Sequence, residues 1–91
     1  MKLTTAQLEQ VRLSILRYCL RPTRTGMIYA SLIGEGFPLK RDQVEDEIVY
    51  LSDPKKGLLE HLEKLISPEN KIWRTTAAGR DYLVHTSQEE S

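Results

Sequence analysis

Proline and glycine residues divide the first 57 positions into three short amphipathic segments, and this punctuation limits the possible folds more than any other feature. Pro22 ends the first segment because the residue before a proline is disfavoured in helical geometry. The residues 34–36 (Gly-Glu-Gly) end the second segment, and Pro54 with Gly57 ends the third. A chain of 91 residues divided in this way predicts one small domain built from short helices.

Each segment carries apolar residues at helical spacing. Thr4 and Gln7 have the spacing of a capping box, which predicts a first helix over 6–20. Thr25 is the expected cap of the second helix, and the third is expected over 40–52. The predicted buried residues are Leu8, Val11, Ile15, Leu16 and Cys19 in the first helix, Met27, Ile28, Leu32 and Ile33 in the second, and Val44, Ile48 and Leu51 in the third.

The segment 58–66 fits either a helix or a strand. We predict a strand because the turn residues 67–70 follow it and the alternating, β-prone segment 71–76 comes next. Two strands joined by this turn form a hairpin. Trp73, in the second strand, is expected to close the side of the core with its ring, and contact of that ring with a nucleic-acid base is the alternative.

The C-terminal part is expected to complete the domain with little further structure. The segment 76–83 predicts a short capped helix, and the polar residues 86–91 predict a disordered tail. The expected organisation is therefore one domain over 1–85, of the α+β class.

Three helices followed by a β-hairpin is the element order of a winged helix-turn-helix domain. Residues 57–60 read GLLE and residues 73–83 read WRTTAAGRDYL, which resembles the G-L-V/L-E … L-T-x-x-G-R-x-Y-L ending of many bacterial and phage winged-helix proteins. With 12–16 (RLSIL) and 41–44 (RDQV), the chain is similar to small winged-helix proteins of Mu-like prophages. Thr75 departs from the pattern, which usually has an apolar residue there.

The resemblance implies a winged-helix fold, in which a three-helix bundle carries a C-terminal β-hairpin wing and a short final helix. It also implies a small protein that binds double-stranded DNA, such as a transcriptional regulator of a phage or prophage. Winged-helix proteins usually place the third helix in the major groove and the wing on the DNA backbone or minor groove. The candidate DNA contacts are then Lys40, Arg41, Gln43, Lys71 and Arg74.

The charge distribution supports a second hypothesis. Thirteen basic and thirteen acidic residues cancel, but residues 35–53 hold six acidic and two basic side chains. Asp42, Asp46 and Asp53 fall within about 40° of one another on the side of the third helix opposite Val44. Such a face would repel phosphates, although it could also be a solvated helix face. The alternative is therefore a protein-interaction module that binds a basic partner or a second copy of itself through an acidic surface, whose candidate residues are Asp42, Glu45, Asp46 and Asp53.

The sequence contains no pattern typical of an enzyme or a cofactor site. His61 and His85 are the only histidines, and neither has the spacing of metal ligands. Cys19, the single cysteine, rules out an internal disulfide and fits a small core residue. No apolar run reaches the roughly 18 residues of a membrane helix, and no signal-peptide region is present. We therefore expect a non-catalytic cytoplasmic protein without metal, cofactor or membrane contact.

Overall fold

The computed structural model describes residues 3–62 and 71–89 as four helices and three strands. The helices are α1 (Thr5–Tyr18), α2 (Thr25–Gly34), α3 (Arg41–Ser52) and α4 (Ala77–Glu89), and the strands are β1 (Thr23–Arg24), β2 (Leu59–Leu62) and β3 (Ile72–Thr75). The strands form one antiparallel sheet in the order β1-β3-β2. The chain is therefore a small α+β protein, and no helix in its described part is long and apolar enough to cross a membrane.

Helix α1 begins with the predicted capping box. The backbone N–H of Thr4 donates to Gln7 Oε1 at 2.8 Å, and the N–H of Gln7 donates to Thr4 Oγ1 at 3.1 Å. The helix ends at Tyr18, two residues before the predicted boundary. The predicted core residues of this segment are buried, apart from the partly buried Leu8; they are Val11, Ile15, Leu16 and Cys19.

Helix α2 differs from the prediction at its start and on its outer face. Arg24, and not Thr25, is the cap residue, and it makes no side-chain capping bond. Ile28 and Leu32 are fully buried as predicted, whereas Met27 is 63% exposed and Ile33 is 42% exposed. The prediction was wrong for these two residues because each lies about 100° around the helix from its buried neighbour.

The sheet confirms the strand interpretation for Leu59–Leu62 and adds a strand that the sequence did not predict. In β2 and β3 the pairing runs from Leu59 opposite Thr75 to Leu62 opposite Ile72. Residues 63–66 and the predicted turn 67–70 lie outside the described residues. The segment that we expected to be a polar turn pairs with β3 as β1, with Thr23 opposite Trp73.

The core lies where the three N-terminal helices meet the inner face of the sheet. Val44, Ile48 and Leu51 of α3 are buried, which confirms the predicted inward face of that helix. From the sheet, Leu59 and Trp73 join them. Thr75, the departure from the resemblance pattern, is also buried, and its hydroxyl donates to the backbone oxygen of Leu16 at 2.7 Å.

Helix α4 is longer than predicted. It has 13 residues and ends at Glu89, so it includes residues 86–89 of the segment that we expected to be a disordered tail. Thr76 caps it, since Thr76 Oγ1 accepts from the N–H of Gly79 at 3.1 Å and donates to the backbone oxygen of Gly57. A β-carbon at position 79 would collide with the backbone oxygen of Leu58 and with the methyl group of Thr75. The segment 75–80 (TTAAGR) therefore attaches α4 to the loop before β2.

Candidate nucleic-acid interface

Basic residues from three parts of the chain lie around the start of α2, where Thr25 is buried and Arg24 is exposed. Arg24 is exposed and directly precedes the helix, which begins without a capping side chain. The N–H of Thr25 donates to the backbone oxygen of Lys71 at 3.1 Å, which places Lys71 beside the same helix end. The unsatisfied N–H groups and the dipole of a helix N-terminus both favour negative charge.

Arg41 approaches this helix end from α3. A β-carbon at Gly26 would lie 3.8 Å from Arg41 Nη2, so the guanidinium group sits over the first turn of α2. On its other side, Arg41 Nε lies 3.8 Å from Glu45 Oε1, and both side chains of this pair are 43% exposed. We call the group Arg24, Arg41 and Lys71 the basic edge.

A hydrogen-bonded pair behind the basic edge fixes its geometry. Trp73 Nε1 donates to Thr25 Oγ1 at 2.9 Å, and Thr25 Oγ1 lies 3.3 Å from the backbone oxygen of Lys71, to which it donates. Trp73 is only 7% exposed, which confirms the interpretation of its ring as a core residue. In this position the ring is not available for stacking on a base. A cavity of about 120 Å³ remains between these elements, lined by Thr25, Glu45, Ile48, Val49, Lys71 and Trp73.

Lys40 and Gln43 are separated from the basic edge by the rotation of α3. Gln43 Oε1 accepts a hydrogen bond from the backbone N–H of Lys40 at 2.8 Å, so the amide of Gln43 caps the helix that it was expected to present to a base. Residues two positions apart on a helix point about 160° away from each other, which puts Gln43 and Arg41 on opposite sides of α3. Lys40 is exposed at the start of this helix.

Arg74 is also outside the basic edge. It faces Glu60 across the two paired strands, and its Nε donates to Glu60 Oε1 at 2.8 Å. Successive residues of a strand point to opposite faces, so Arg74 points away from the core into which Trp73 is packed. Of the five candidate DNA contacts, Arg41 and Lys71 lie around the start of α2, Lys40 and Gln43 lie at the start of α3, and Arg74 lies on the outer face of the sheet.

The four candidate residues of the acidic surface divide into two groups. Asp42 and Asp46 are exposed on α3 and Asp53 is exposed directly after it, and Val49, 63% exposed, lies among them. Glu45 is half-buried and pairs with Arg41 at the margin of the basic edge. No group of three or more His, Cys, Asp or Glu residues in the described segments is arranged to hold a metal ion.

A second charged cluster, which the sequence did not reveal, joins α1 to α3. Arg12 Nε donates to Glu47 Oε1 at 2.6 Å, and both side chains are largely shielded from solvent. The ring of Tyr50 lies 4.0 Å from the guanidinium carbon of Arg12 and 4.1 Å from Lys56 Nζ. Arg12 and Glu47 are 35 positions apart, so only the packing of the two helices brings them into contact.

Tyr82 of α4 lies close to this cluster and donates a hydrogen bond to Glu9 of α1. That bond, together with burial, raises the pKa of Tyr82 to about 12. Burial raises the pKa of the Cys19 thiol to about 12 as well, which suits a core residue better than a nucleophile.

The basic edge therefore groups two of the candidate DNA contacts, Arg41 and Lys71, with Arg24 around the start of α2. Comparisons of the sequence with protein-family models and with curated proteins found no match in either case.

Proposed function

We propose that the chain is a winged-helix domain that binds duplex DNA, and that it holds the DNA by phosphate contacts at the basic edge. The element order α1-β1-α2-α3-β2-β3-α4 supports the fold assignment, because β1 follows the first helix and pairs with the hairpin strand β3. The similarity to small winged-helix proteins of Mu-like prophages, and with it a role in phage or prophage regulation, belongs to the same proposal.

The observation that carries the proposal is the position of three basic residues around the start of α2. Arg24 directly precedes the helix, Arg41 Nη2 lies over Gly26, and the backbone oxygen of Lys71 accepts from the N–H of Thr25. The N–H of Thr25 is already bonded to the backbone oxygen of Lys71, so a phosphate at this position would be held by the neighbouring cations and by the dipole of the helix. The pairing of Arg41 with Glu45 is exposed and 3.8 Å long, and such pairs contribute little free energy.

The acidic face of α3 determines what kind of DNA binding to expect. Asp42 and Asp46 lie about 100° and 140° around the helix from Arg41, so a duplex seated on the basic edge need not face them. Insertion of α3 into the major groove would bring these carboxylates close to phosphates and weaken binding. We therefore expect backbone contacts with little sequence discrimination, since phosphate contacts position a protein without reading bases.

The proposal is tested by fluorescence anisotropy with a labelled random-sequence duplex at about 50 and 200 mM salt. Three phosphate contacts predict an affinity loss of about 40-fold between these concentrations, and two contacts predict about 12-fold. Arg41→Ala and Lys71→Ala should each remove one phosphate contact, so the loss of affinity between the two salt concentrations should fall from about 40-fold toward about 12-fold. Arg74→Ala removes the same charge outside the basic edge and should leave the salt dependence unchanged.

Two results would contradict the proposal. One is the absence of binding at the lower salt concentration. The other is a salt dependence that Arg41→Ala and Lys71→Ala leave unchanged while Arg74→Ala reduces it, because the DNA would then lie on the hairpin and not on the start of α2.

A further inference from the structure

A groove on the other side of α3 has an apolar floor and an acidic rim. It has a volume of about 240 Å³ and runs between the start of α1 and the start of α3. Its lining residues are Leu3, Leu8, Leu39, Gln43, Asp46 and Glu47. Leu39 is nearly fully buried in its floor, whereas Leu3 and Leu8 are only partly covered. Apolar side chains that stay accessible in this way can be covered by a matching apolar group.

The rim of the groove has one carboxylate available for a partner. Glu47 is already engaged with Arg12 at 2.6 Å. Asp46 is exposed and forms no ion pair with any residue in the described part of the chain. An occupant that fits this groove would therefore present an apolar side chain with a cation next to it.

The far end of α1 presents this combination. Leu20 is 43% exposed where the chain leaves the helix, and Arg17 and Arg21 on either side of it are exposed. Arg17 Nη2 donates to Ser14 Oγ at 3.1 Å, and this neutral hydroxyl group does not neutralise the charge of the guanidinium group. We call Arg17, Leu20 and Arg21 the basic corner.

One molecule cannot insert its own basic corner into its own groove. Leu8 lies at the start of α1 and Tyr18 at its end, which separates the two sites by about 15 Å along a rigid helix. We propose that the groove binds the basic corner of a second copy of this chain, with Leu20 on the apolar floor and Arg21 beside Asp46. The proposal does not depend on DNA binding, because the basic edge uses neither Arg17 nor Arg21.

The proposed contact joins two different surfaces, so it is heterologous. A pair of molecules joined in this way still has one free groove and one free basic corner, so further copies can add. Association therefore continues from copy to copy unless the rotation between successive copies closes a ring. One leucine and one ion pair make a small contact, which places it in the weak, concentration-dependent class. Salt should weaken it, because the ion pair lies at an exposed rim.

Sedimentation equilibrium in DNA-free, low-salt buffer tests this proposal. The wild-type weight-average mass should rise above the monomer value of 10.5 kDa as the protein concentration increases. The variants Asp46→Lys and Arg21→Glu should each remain at the monomer mass. Each substitution puts two like charges opposite each other where the groove of one copy meets the basic corner of the next. An equimolar mixture of the two variants should regain the increase, because each variant supplies the surface that the other one needs.

Asp81→Lys is the matched control, since it makes the same charge change at an exposed position of α4. It should associate like the wild type. All three substitutions are at exposed positions, and their melting curves show whether they fold. A wild-type protein that stays monomeric at every concentration would overturn the proposal, as would folded single variants that associate normally or a mixture that stays monomeric.

Discussion

At the scale of single residues, Thr25 connects three parts of the molecule through one hydroxyl group and one N–H. Its side chain accepts from the indole of Trp73 and donates to the Lys71 carbonyl, and its N–H donates to the same carbonyl. Thr25 and Trp73 are both buried, so water cannot replace these bonds. The arrangement holds Lys71 beside the start of α2.

Thr25→Val tests this connection with little change of shape. The substitution leaves the Trp73 N–H buried without a partner, which costs about 1–3 kcal/mol. We expect a lower urea midpoint with an unchanged m-value, and a second substitution, Trp73→Phe, should cost less in the Thr25→Val background than in the wild type. Equal stability of Thr25→Val and wild type, or strictly additive effects, would show that the bond contributes nothing.

The sequence predicts that Thr25 caps α2, because a threonine before a helical segment usually plays that role. Its actual partner, Trp73, is 48 positions away, and no local pattern indicates such a bond. No local pattern indicates the position of Arg41 over Gly26 either, because it depends on how α3 packs beside α2. The sequence identified Arg41 and Lys71 as candidate DNA contacts, but the start of α2, where they meet, emerges only from the packing.

At the scale of elements, the attachment of α4 depends on the close approach of Gly79 to Leu58. Gly79→Ala places a β-carbon against a backbone oxygen, which cannot move without disturbing β2. We expect a loss of about 2–4 kcal/mol in the free energy of unfolding, in the range of severe overpacking. Differential scanning calorimetry should show a melting temperature reduced by well over 5 °C, given about 4–8 °C per kcal/mol for a domain of this size.

Gly34→Ala is the control for this prediction. Gly34 ends α2, and nothing lies within 4 Å of a β-carbon placed there. Alanine in this position should leave stability unchanged or raise it by up to about 1 kcal/mol, since it restricts the unfolded chain. If both substitutions had equal effects, the close contact at Gly79 would not be what holds α4 in place.

The elements with strong local signals were predictable, and those defined by distant partners were not. The capping box of α1, the spacing of Val44, Ile48 and Leu51, and the alternation in β3 are local, and the structure has each of them. Strand β1 is two residues long and exists only because β3 pairs with it, so its polar sequence indicated a turn. Helix α4 extends beyond position 83, where the sequence predicted its end, although its last residues are polar. The polar residues did not reveal this extension because local propensity is a weak guide to a helix end.

At the scale of the whole molecule, three buried or hydrogen-bonded acids have raised pKa values and therefore make the stability of the fold depend on alkaline pH. The pKa of Cys19 is raised to about 12 by burial, and that of Tyr82 to about 12 by its bond to Glu9 and by burial. For Tyr18, burial and a hydrogen bond to Glu35 raise the pKa to about 12. In the unfolded chain the two tyrosines ionise near 10.0 and the cysteine near 9.0.

The sign of the resulting pH dependence follows from these values. Between about pH 9 and pH 12 the unfolded chain releases protons that the folded chain keeps, so the free energy of unfolding falls as the pH rises. Below about pH 9 this contribution is complete and constant. Urea denaturation over this range should give a shallower decline for Tyr82→Phe than for the wild type, although the variant starts lower because it lacks the bond to Glu9. Parallel pH profiles would contradict this account.

We propose that DNA contacts the start of α2 and not the acidic face of α3. A titration of the ¹⁵N-labelled protein with a short duplex, followed by backbone amide chemical shifts at low salt, tests it residue by residue. We predict the largest shifts at Gly26, Met27, Arg41 and Lys71, with the amides of Asp42, Asp46 and Asp53 little changed. Shifts centred on those three aspartates, or no shifts anywhere at about 50 mM salt, would contradict the claim.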